Sequence, residues 1–250
     1  MATTVGERST DPSAAEGGWT WKKLLTVVTA ATVVGLIVLF VLAGIIPPMV
    51  VFAVLFIVGV FLLRTKEKPA AILLLVIHLA MFALSLPFTI PSLMVPASAI
   101  DFSLTLFLSI LNLIGIASSI AVLRGQGDVV SSAARTIATV GIVVILAGVA
   151  FSVYSAVSYD SAEAQQGDIR LVTEDTDFSD TSLEADEGTV SVFVDNNDGT
   201  THTFTIEELD VDLEIPGGKA ARVTFEAEQG SYEFICTPHE EDMAGNISVE

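Results

Sequence analysis

Long apolar runs fill the first two thirds of the chain, and short alternating segments fill the remainder. A membrane core about 30 Å thick needs a helix of about 20 residues, although shorter spans are tolerated. Five such runs occur, at residues 24–46, 49–63, 70–86, 102–123 and 136–157. They predict a bundle of five transmembrane helices within residues 21–158. The second run is the shortest, and Pro47 and Pro48 are expected to form a tight turn before it.

Basic residues near these runs are confined to alternate ends of the predicted helices. They precede the first run, follow the second and follow the fourth, as Lys22, Lys23, Arg64, Lys66, Lys68, Arg124 and Arg135. The other two connections, before the second run and at residues 87–101, contain neither Lys nor Arg. Because Lys and Arg are enriched on the cytoplasmic side of membranes, the N terminus is expected there and the C terminus outside the cell. Residues 1–20 are predicted to be a disordered cytoplasmic tail.

The formal charge of −19 is distributed unevenly along the 250 residues. Residues 1–159 carry a net charge of +2, whereas residues 160–250 carry −21. Such acidity disfavours nucleic acid as a partner, which leaves membrane lipid and proteins. At about 1 M salt the Debye length is about 3 Å, so self-repulsion is largely screened. The composition is therefore typical of a halophilic archaeon.

From Gly167 onward the periodicity changes to that of short β-strands. In residues 189–195, Val190, Val192 and Val194 alternate with Ser191 and Phe193. Eight strands are predicted, at residues 168–173, 182–185, 189–195, 202–206, 211–214, 220–226, 230–236 and 245–249. Turn residues separate them, which predicts an all-β, antiparallel sandwich of Greek-key type over residues 168–250. An acidic linker at residues 159–167 is expected to join it to the helices.

Cys236 is the only cysteine of the chain. On an oxidising outer face an unpaired thiol is a liability unless something uses it. It begins a C-x2-H-x3-M motif with His239 and Met243, and His202 stands at the start of a predicted strand upstream. Two imidazoles, a thiolate and a thioether are the donors of a type 1 (blue) copper site, in which the axial Met is weak. The sequence therefore predicts one copper ion bound by His202, Cys236, His239 and Met243.

Two alternatives to this ligand set remain open from the residues alone. Glu240, Glu241 and Asp242 offer carboxylate oxygens that would replace Met243 as the fourth ligand. Zinc binds the same imidazole and thiolate groups. However, zinc prefers four firm ligands in a tetrahedron, and a thioether is a poor one.

Residues from about Gly167 onward resemble the cupredoxin family, especially its plastocyanin-like and halocyanin-like members in archaea. The matching pieces are Phe178 with Leu183, Glu187-Gly188, Asn196 ahead of His202-Thr203-Phe204, Tyr232-Glu233-Phe234-Ile235-Cys236, and Gly245-Asn246-Ile247. The spacing between His239 and Met243 departs from the family, whose members have two or four intervening residues rather than three. The resemblance implies one copper that is blue when oxidised and carries single electrons. It also implies that electrons pass through His239 as a partly exposed ligand.

The expected function is single-electron transfer on the outer face of the cell membrane, with an unidentified redox protein of a respiratory chain or oxidase as partner. Catalysis is not expected, because an oxidase or nitrite reductase needs a second copper site with further histidines, and only His78 remains. One alternative is copper binding and delivery outside the cytoplasm. Another is a redox-sensing module attached to a functional membrane domain.

His78 lies within the third predicted span, and ionisable residues inside membranes are candidates for function. One hypothesis makes it a haem ligand or a proton relay, although bis-histidine haem ligation needs a second histidine in the membrane. The favoured hypothesis is a neutral histidine that is hydrogen-bonded to a neighbouring helix. Asn112, in the fourth span, lies at a similar depth, and Ser109 is one turn away from it.

Overall fold

The computed structural model describes residues 18–250, so residues 1–17 of the predicted disordered tail lie outside the described residues. The described chain forms two compact units. The first contains the described residues up to Ala83 together with Ile110–Val143. The second contains Leu84–Ser109 and Val144–Glu250.

Five α-helices occupy the described part of the apolar region, and a π-helical turn, Val122–Gln126, follows the fourth. They are α1 (Trp21–Ala43), α2 (Pro47–Leu62), α3 (Glu67–Met94), α4 (Ala99–Ala121) and α5 (Ser132–Ser158). Of these described helices, α1, α3, α4 with the π turn, and α5 are long and apolar enough to cross a membrane. The remaining helix, α2, has 16 residues and is about 24 Å long at 1.5 Å per residue.

The expected turn at Pro47 and Pro48 is wrong, because both prolines begin α2. Proline suits the first positions of a helix for two reasons. A backbone N–H there would have no acceptor within the helix, so its absence costs nothing, and the fixed φ of proline already has a helical value. The chain reverses instead just before them. Gly44 ends α1 with a φ of 77°, a conformation that only glycine adopts without steric cost.

The third helix is longer than the sequence predicts. Residues 87–101 were expected to form a connection, but α3 continues to Met94 through Pro87 and Pro91. Each proline removes one backbone donor from the helical ladder, which usually breaks a helix in water. Helices of membrane proteins tolerate this loss when local adjustments and neighbouring groups satisfy the freed carbonyls. The two prolines are one turn apart, so both losses fall on the same face of α3.

Within the first unit, the start of α1, the start of α3 and the connection between α4 and α5 meet at one end. Lys22 Nζ lies 2.9 Å from a carboxylate oxygen of Glu67. The backbone N–H of Lys22 donates to the carbonyl of Gly127 over 3.0 Å, and that of Ser131 donates to the carbonyl of Trp19 over 2.8 Å. The three segments that carry the basic residues therefore share one end of the helices.

The acidic region forms a two-sheet β-sandwich. In its described residues the strands are β1 (Ile169–Glu174), β2 (Asp177–Phe178), β3 (Ser182–Ala185), β4 (Gly188–Asn196), β5 (His202–Ile206), β6 (Val211–Ile215), β7 (Ala220–Ala227), β8 (Gly230–Ile235) and β9 (Ala244–Val249). One sheet has the order β2-β1-β4-β7 and the other has the order β3-β9-β8-β5-β6. Alternate residues of each strand face the core between the sheets, where Val192, Val194, Phe204 and Phe234 are fully buried.

The sandwich is confirmed, but two details of the expectation are wrong. The sheets are mixed rather than antiparallel, because β1 pairs in parallel with β4 and β3 pairs in parallel with β9. The two-residue strand β2 was missed, since a segment of that length carries no periodicity. Its antiparallel pairing with β1 joins Thr173 to Phe178. Hydrophobic alternation shows which face of a strand is buried, but it does not show the direction of the neighbouring strand.

Ser98, in the connection between α3 and α4, contacts two turns of the sandwich within the second unit. Its side chain is fully buried. Ser98 Oγ lies 2.5 Å from Thr201 Oγ1 and accepts a hydrogen bond from the backbone N–H of Gly217 over 2.8 Å. Thr201 directly precedes β5, and Gly217 follows β6. Ser98 therefore links two turns by hydrogen bonds at the end of the sandwich where β5 begins.

Candidate metal centre

Three potential metal ligands converge at the end of the sandwich where β5 begins. His202 is the first residue of β5, Cys236 directly follows β8, and His239 ends a 3-10 turn, Thr237–His239. Cys236 Sγ lies 3.5 Å from Nδ1 of His202 and 3.5 Å from Nδ1 of His239. The ligand atoms of all three lie within 4.8 Å of one another. The structure thus brings together three of the four predicted ligands in a cluster that could hold a metal ion, and metal binding by them stays a prediction.

The three candidate ligands differ in burial, which determines which of them solvent or a partner can reach. Cys236 and His202 are fully buried, whereas His239 is partly exposed. The two imidazole rings are tilted against each other with centroids 5.0 Å apart. Of the three side chains, only that of His239 is therefore accessible to solvent or to a partner.

Backbone hydrogen bonds hold the ligand loop between β8 and β9 in a closed turn. The N–H of His239 donates to the carbonyl of Cys236 over 2.8 Å, and the N–H of Met243 donates to the carbonyl of His239 over 2.8 Å. The N–H of Cys236 donates to the carbonyl of Met243 over 2.9 Å. Proline fits the first turn of a 3-10 or α-helix, which explains Pro238 in this loop. These hydrogen bonds fix the backbone at Cys236, His239 and Met243 without a disulfide.

The fourth predicted ligand, Met243, is fully buried in the same core cluster as Cys236. The alternative oxygen donors on this loop, Glu240, Glu241 and Asp242, are all exposed. Carboxylates remain hydrated unless a partner compensates their burial. The burial pattern therefore favours the thioether over the carboxylates as a fourth ligand, and coordination by Met243 stays a prediction.

Two residues that contact the ligands were missed by sequence reasoning. Thr203 donates its backbone N–H to Cys236 Sγ over 3.4 Å, and its Oγ1 accepts the N–H of Thr237 over 2.8 Å. Asp198 places Oδ2 2.8 Å from Nε2 of His202. In the sequence, Thr203 stands out only as part of the motif that follows His202, and Asp198 only as one of several turn residues. Their positions, directly after His202 and four residues before it, were the available signals.

The protonation of the cluster follows from burial. Burial lowers the pKa of His202, and the nearby Asp198 partly offsets this effect. Burial, followed by the neighbouring His202, lowers the pKa of His239. At neutral pH both imidazoles are therefore neutral and have a lone pair for a metal ion. Burial raises the pKa of the Cys236 thiol, opposed by hydrogen bonds from Thr203 and His239, so binding of a metal ion must displace the thiol proton.

His78 takes no part in this cluster and is hydrogen-bonded within the first unit. Its Nδ1 lies 2.9 Å from Asn112 Oδ1 on α4, and its Nε2 lies 3.2 Å from Thr29 Oγ1 on α1. The side chain is fully buried. The expected hydrogen bond to a neighbouring helix is confirmed, with Asn112 as the partner that the sequence had suggested. Thr29 is a second partner that the sequence did not indicate.

Comparison with known proteins agrees with this geometry. Residues 142–249 match the sequence model of the family described as a cupredoxin-like domain, a range that begins within α5 and ends in β9. The acidic region is therefore similar to a cupredoxin-like domain over nearly its whole length. No curated protein matches the chain.

Solved structures similar to the chain include several of amicyanin. A reduced variant of amicyanin is 22% identical, covers 35% of this chain and 87% of its own, and has a TM-score of 0.31. A variant in the reduced Cu(I) form at pH 4 is 23% identical, covers 37% of this chain and 90% of its own, and has a TM-score of 0.32. Amicyanin from Paracoccus versutus (Thiobacillus versutus) is 19% identical over 35% of this chain and 86% of its own, with a TM-score of 0.30.

Proposed function

We propose that the protein is a membrane-anchored type 1 copper protein that carries single electrons on the outer face of the cell membrane. The observation that carries this proposal is the convergence of one thiol and two imidazole Nδ1 atoms, with both Sγ–Nδ1 distances at 3.5 Å, in a cupredoxin-like sandwich. Bound copper would supply one-electron chemistry between Cu(I) and Cu(II). Two imidazoles and one thiolate, with a weak axial thioether, are the ligands that such a site uses.

The proposal assigns a separate task to each residue of the centre. Cys236 gives up its proton and offers a soft thiolate, which favours Cu(I), while His202 and His239 offer nitrogen donors that suit both oxidation states. The N–H of Thr203 donates to Cys236 Sγ and is placed to stabilise the thiolate. Met243 offers a thioether from the buried side of the loop. Because strands and loop hydrogen bonds hold these side chains, little rearrangement is needed when one electron arrives or leaves.

Electrons are proposed to enter and leave through His239. Its ring is the partly exposed member of the cluster, whereas His202 and Cys236 are fully buried. The turn around it carries the exposed carboxylates of Glu240, Glu241 and Asp242. A redox partner with basic residues around its own centre would therefore be attracted, and that attraction would weaken as salt rises.

The proposed topology has five membrane crossings and places the sandwich outside the cell. The start of α1 and the start of α3 meet through Lys22 and Glu67, so α2 returns the chain to the end at which α1 began. The α4–α5 connection lies at the same end, through Gly127. Basic residues cluster at this end, which the positive-inside rule assigns to the cytoplasm. The C-terminal end of α5 then lies on the outer side.

Adaptation to concentrated salt is proposed from the charge of the sandwich. Residues 160–250 contain 24 Asp and Glu against three Lys and Arg. Screening of this self-repulsion should raise the thermal midpoint of the full chain between 0.1 and about 2 M KCl. A midpoint that is independent of salt would contradict the adaptation without affecting the metal site.

The test of the main proposal is copper loading of the full chain in detergent. We expect one copper per chain, an intense charge-transfer band in the visible spectrum of the oxidised form, and a reversible one-electron potential. Cys236→Ser should abolish the band, and a band that survives this change would refute the site. Tight but colourless and labile binding of Cu(I), without a reversible potential, would instead indicate copper delivery.

A further inference from the structure

Asp198 is hydrogen-bonded to a predicted metal ligand through the ring nitrogen that faces away from the other ligands. His202 directs Nδ1 toward Cys236 Sγ at 3.5 Å, and its Nε2 lies 2.8 Å from Asp198 Oδ2. Because the lone pair of Nδ1 faces the cluster, the ring proton resides on Nε2, and the Nε2–H group donates a hydrogen bond to the Asp198 carboxylate. The imidazole is fully buried and the Asp198 side chain is 17% exposed, so water has little access to this hydrogen bond.

The carboxylate of Asp198 is itself held from several sides. The backbone N–H of Asp175 donates to Oδ1 over 2.9 Å, and that of Thr176 donates to Oδ2 over 3.1 Å. The backbone of Asp198 is fixed as well, since its N–H donates to Asn196 Oδ1 over 2.9 Å and its carbonyl accepts the N–H of Gly218 over 2.8 Å. Three separate segments therefore determine where this carboxylate lies.

The turn that presents the two amides has an uncommon backbone conformation. Asp175 and Thr176 have φ values of 56° and 62°, in the left-handed region that non-glycine residues seldom adopt. Such conformations persist when the surrounding structure requires them, and they often occur next to functional sites. Here they point two successive N–H groups at one carboxylate. The geometry is that of a site built to hold a negative charge next to His202.

We propose that Asp198 is a positioning residue that fixes the tautomer and ring orientation of His202 and lowers the reduction potential of the metal centre. This inference rests on the proposed function. Carboxylates that accept the second ring N–H of a ligating histidine orient the ring and make it a stronger donor. A fixed negative charge close to the site also favours the oxidation state with the higher positive charge. Reduction adds one electron, and no proton needs to move.

The decisive experiment compares the reduction potentials of copper-loaded full-length variants. Asp198→Asn keeps the shape of the side chain but removes its charge, so the potential should rise. We expect the ratio of Cu(I) affinity to Cu(II) affinity to increase about tenfold, which corresponds to about 59 mV for one electron. Asp198→Glu keeps the charge and should stay closer to the wild type than Asp198→Asn does.

Asp242→Asn is the matched control for loss of one charge without loss of the hydrogen bond. Asp242 is exposed and directly precedes Met243, so it is close to the ligand loop but screened by water. Its removal should raise the potential much less than Asp198→Asn. Equal shifts in the two variants, or an unchanged potential in Asp198→Asn, would overturn the proposal.

A measurement on the unmodified chain covers the case in which Asp198→Asn fails to fold or to load copper. Infrared difference spectra between the oxidised and reduced protein, with 13C-labelled aspartate, should contain a shifted carboxylate band, because the hydrogen bond from His202 strengthens in the oxidised form. Absence of any aspartate band overturns the inference. A chain that binds no copper refutes the proposed function itself, whereas reversible copper chemistry with no role for Asp198 refutes only this inference.

Discussion

The described structure contains buried histidines in two different settings, one among the helices and one in the sandwich. In the helices, His78 uses both ring nitrogens in hydrogen bonds to Asn112 and Thr29, and its ring lies 4.6 Å from that of Phe56. In the sandwich, His202 and His239 direct their Nδ1 atoms at one thiol. Each setting contains a fully buried histidine among polar groups, but only the second gathers several lone pairs around one point.

This difference shows why burial alone does not identify a functional histidine. A buried imidazole with a hydrogen-bond partner at each nitrogen is satisfied and links neighbouring segments of a fold. A cluster of imidazoles and a thiol has more lone pairs than protons to bridge them, and a metal ion resolves that mismatch. The partners of each ring nitrogen, rather than its depth, therefore separate a structural histidine from a ligand. Four changes test this contrast, beginning with the largest expected effect.

Replacement of His239 by glycine should abolish strong copper binding, because it removes a side chain that is proposed to bind the copper directly. The expected loss of copper affinity is greater than about 100-fold. Since His239 is partly exposed, free imidazole should enter the gap and restore the visible band. His202→Gly is the matched control: that position is fully buried, so imidazole should restore much less. Equal rescue of the two variants would contradict the difference in access.

His78→Ala should destabilise the helical unit by about 2–4 kcal/mol. It leaves a cavity and removes two interhelical hydrogen bonds, each worth about 0.6–1.7 kcal/mol in membranes. The copper band and potential should stay unchanged. Denaturation of the copper-loaded chain in mixed micelles measures the first effect, and absorption measures the second. A stable His78→Ala variant with altered copper chemistry would assign His78 a functional role instead.

Gly115→Ala should cost about 1–3 kcal/mol through overpacking. A Cβ at Gly115 would meet the His78 ring, which is rigid and held by hydrogen bonds at both nitrogens. Gly59→Ala is the matched control, because its Cβ would meet the end of the Leu74 side chain. That chain can rotate away, so the control should be milder when both are measured in the same denaturation assay. A Gly59→Ala variant as unstable as Gly115→Ala would show that the helices are too closely packed for this distinction.

The stability of the metal-free chain should fall as the pH drops below about 6.5, the pKa of unfolded histidine. The folded pKa values of His202 and His239 are lowered by burial, so between the two pKa values the unfolded state binds more protons. Each histidine can contribute a slope of up to about 1.4 kcal/mol per pH unit in that window. Thermal melts from pH 8 to 5 measure this slope, and replacement of both residues by glutamine should flatten it. A slope that survives the double replacement would place its origin elsewhere.

Much of the candidate site could be predicted from the sequence, because three of its four candidate ligands are close together along the chain. Cys236, His239 and Met243 lie on one short loop, and a lone cysteine in such a motif indicates a metal site before any fold is known. The strands Ser182–Ala185 and His202–Ile206 begin and end where the alternation predicts. The extent of α3 was predicted less well, since the effect of Pro87 and Pro91 depends on whether neighbouring groups satisfy the freed carbonyls.

The sequence by itself determined the division into an apolar and an acidic region, eight of the nine strands of the sandwich, and the candidate metal ligands. Hydrophobic periodicity and donor chemistry are properties of short segments, so they can be recognised without the fold. Only the tertiary structure decided which polar atoms meet: Thr29 is 49 residues from His78, and the turn at Asp175 is 23 residues from Asp198. Such contacts depend on how distant segments pack, and no local pattern encodes them. For that reason the candidate ligands were predicted, while the polar groups that contact them were found only in the folded chain.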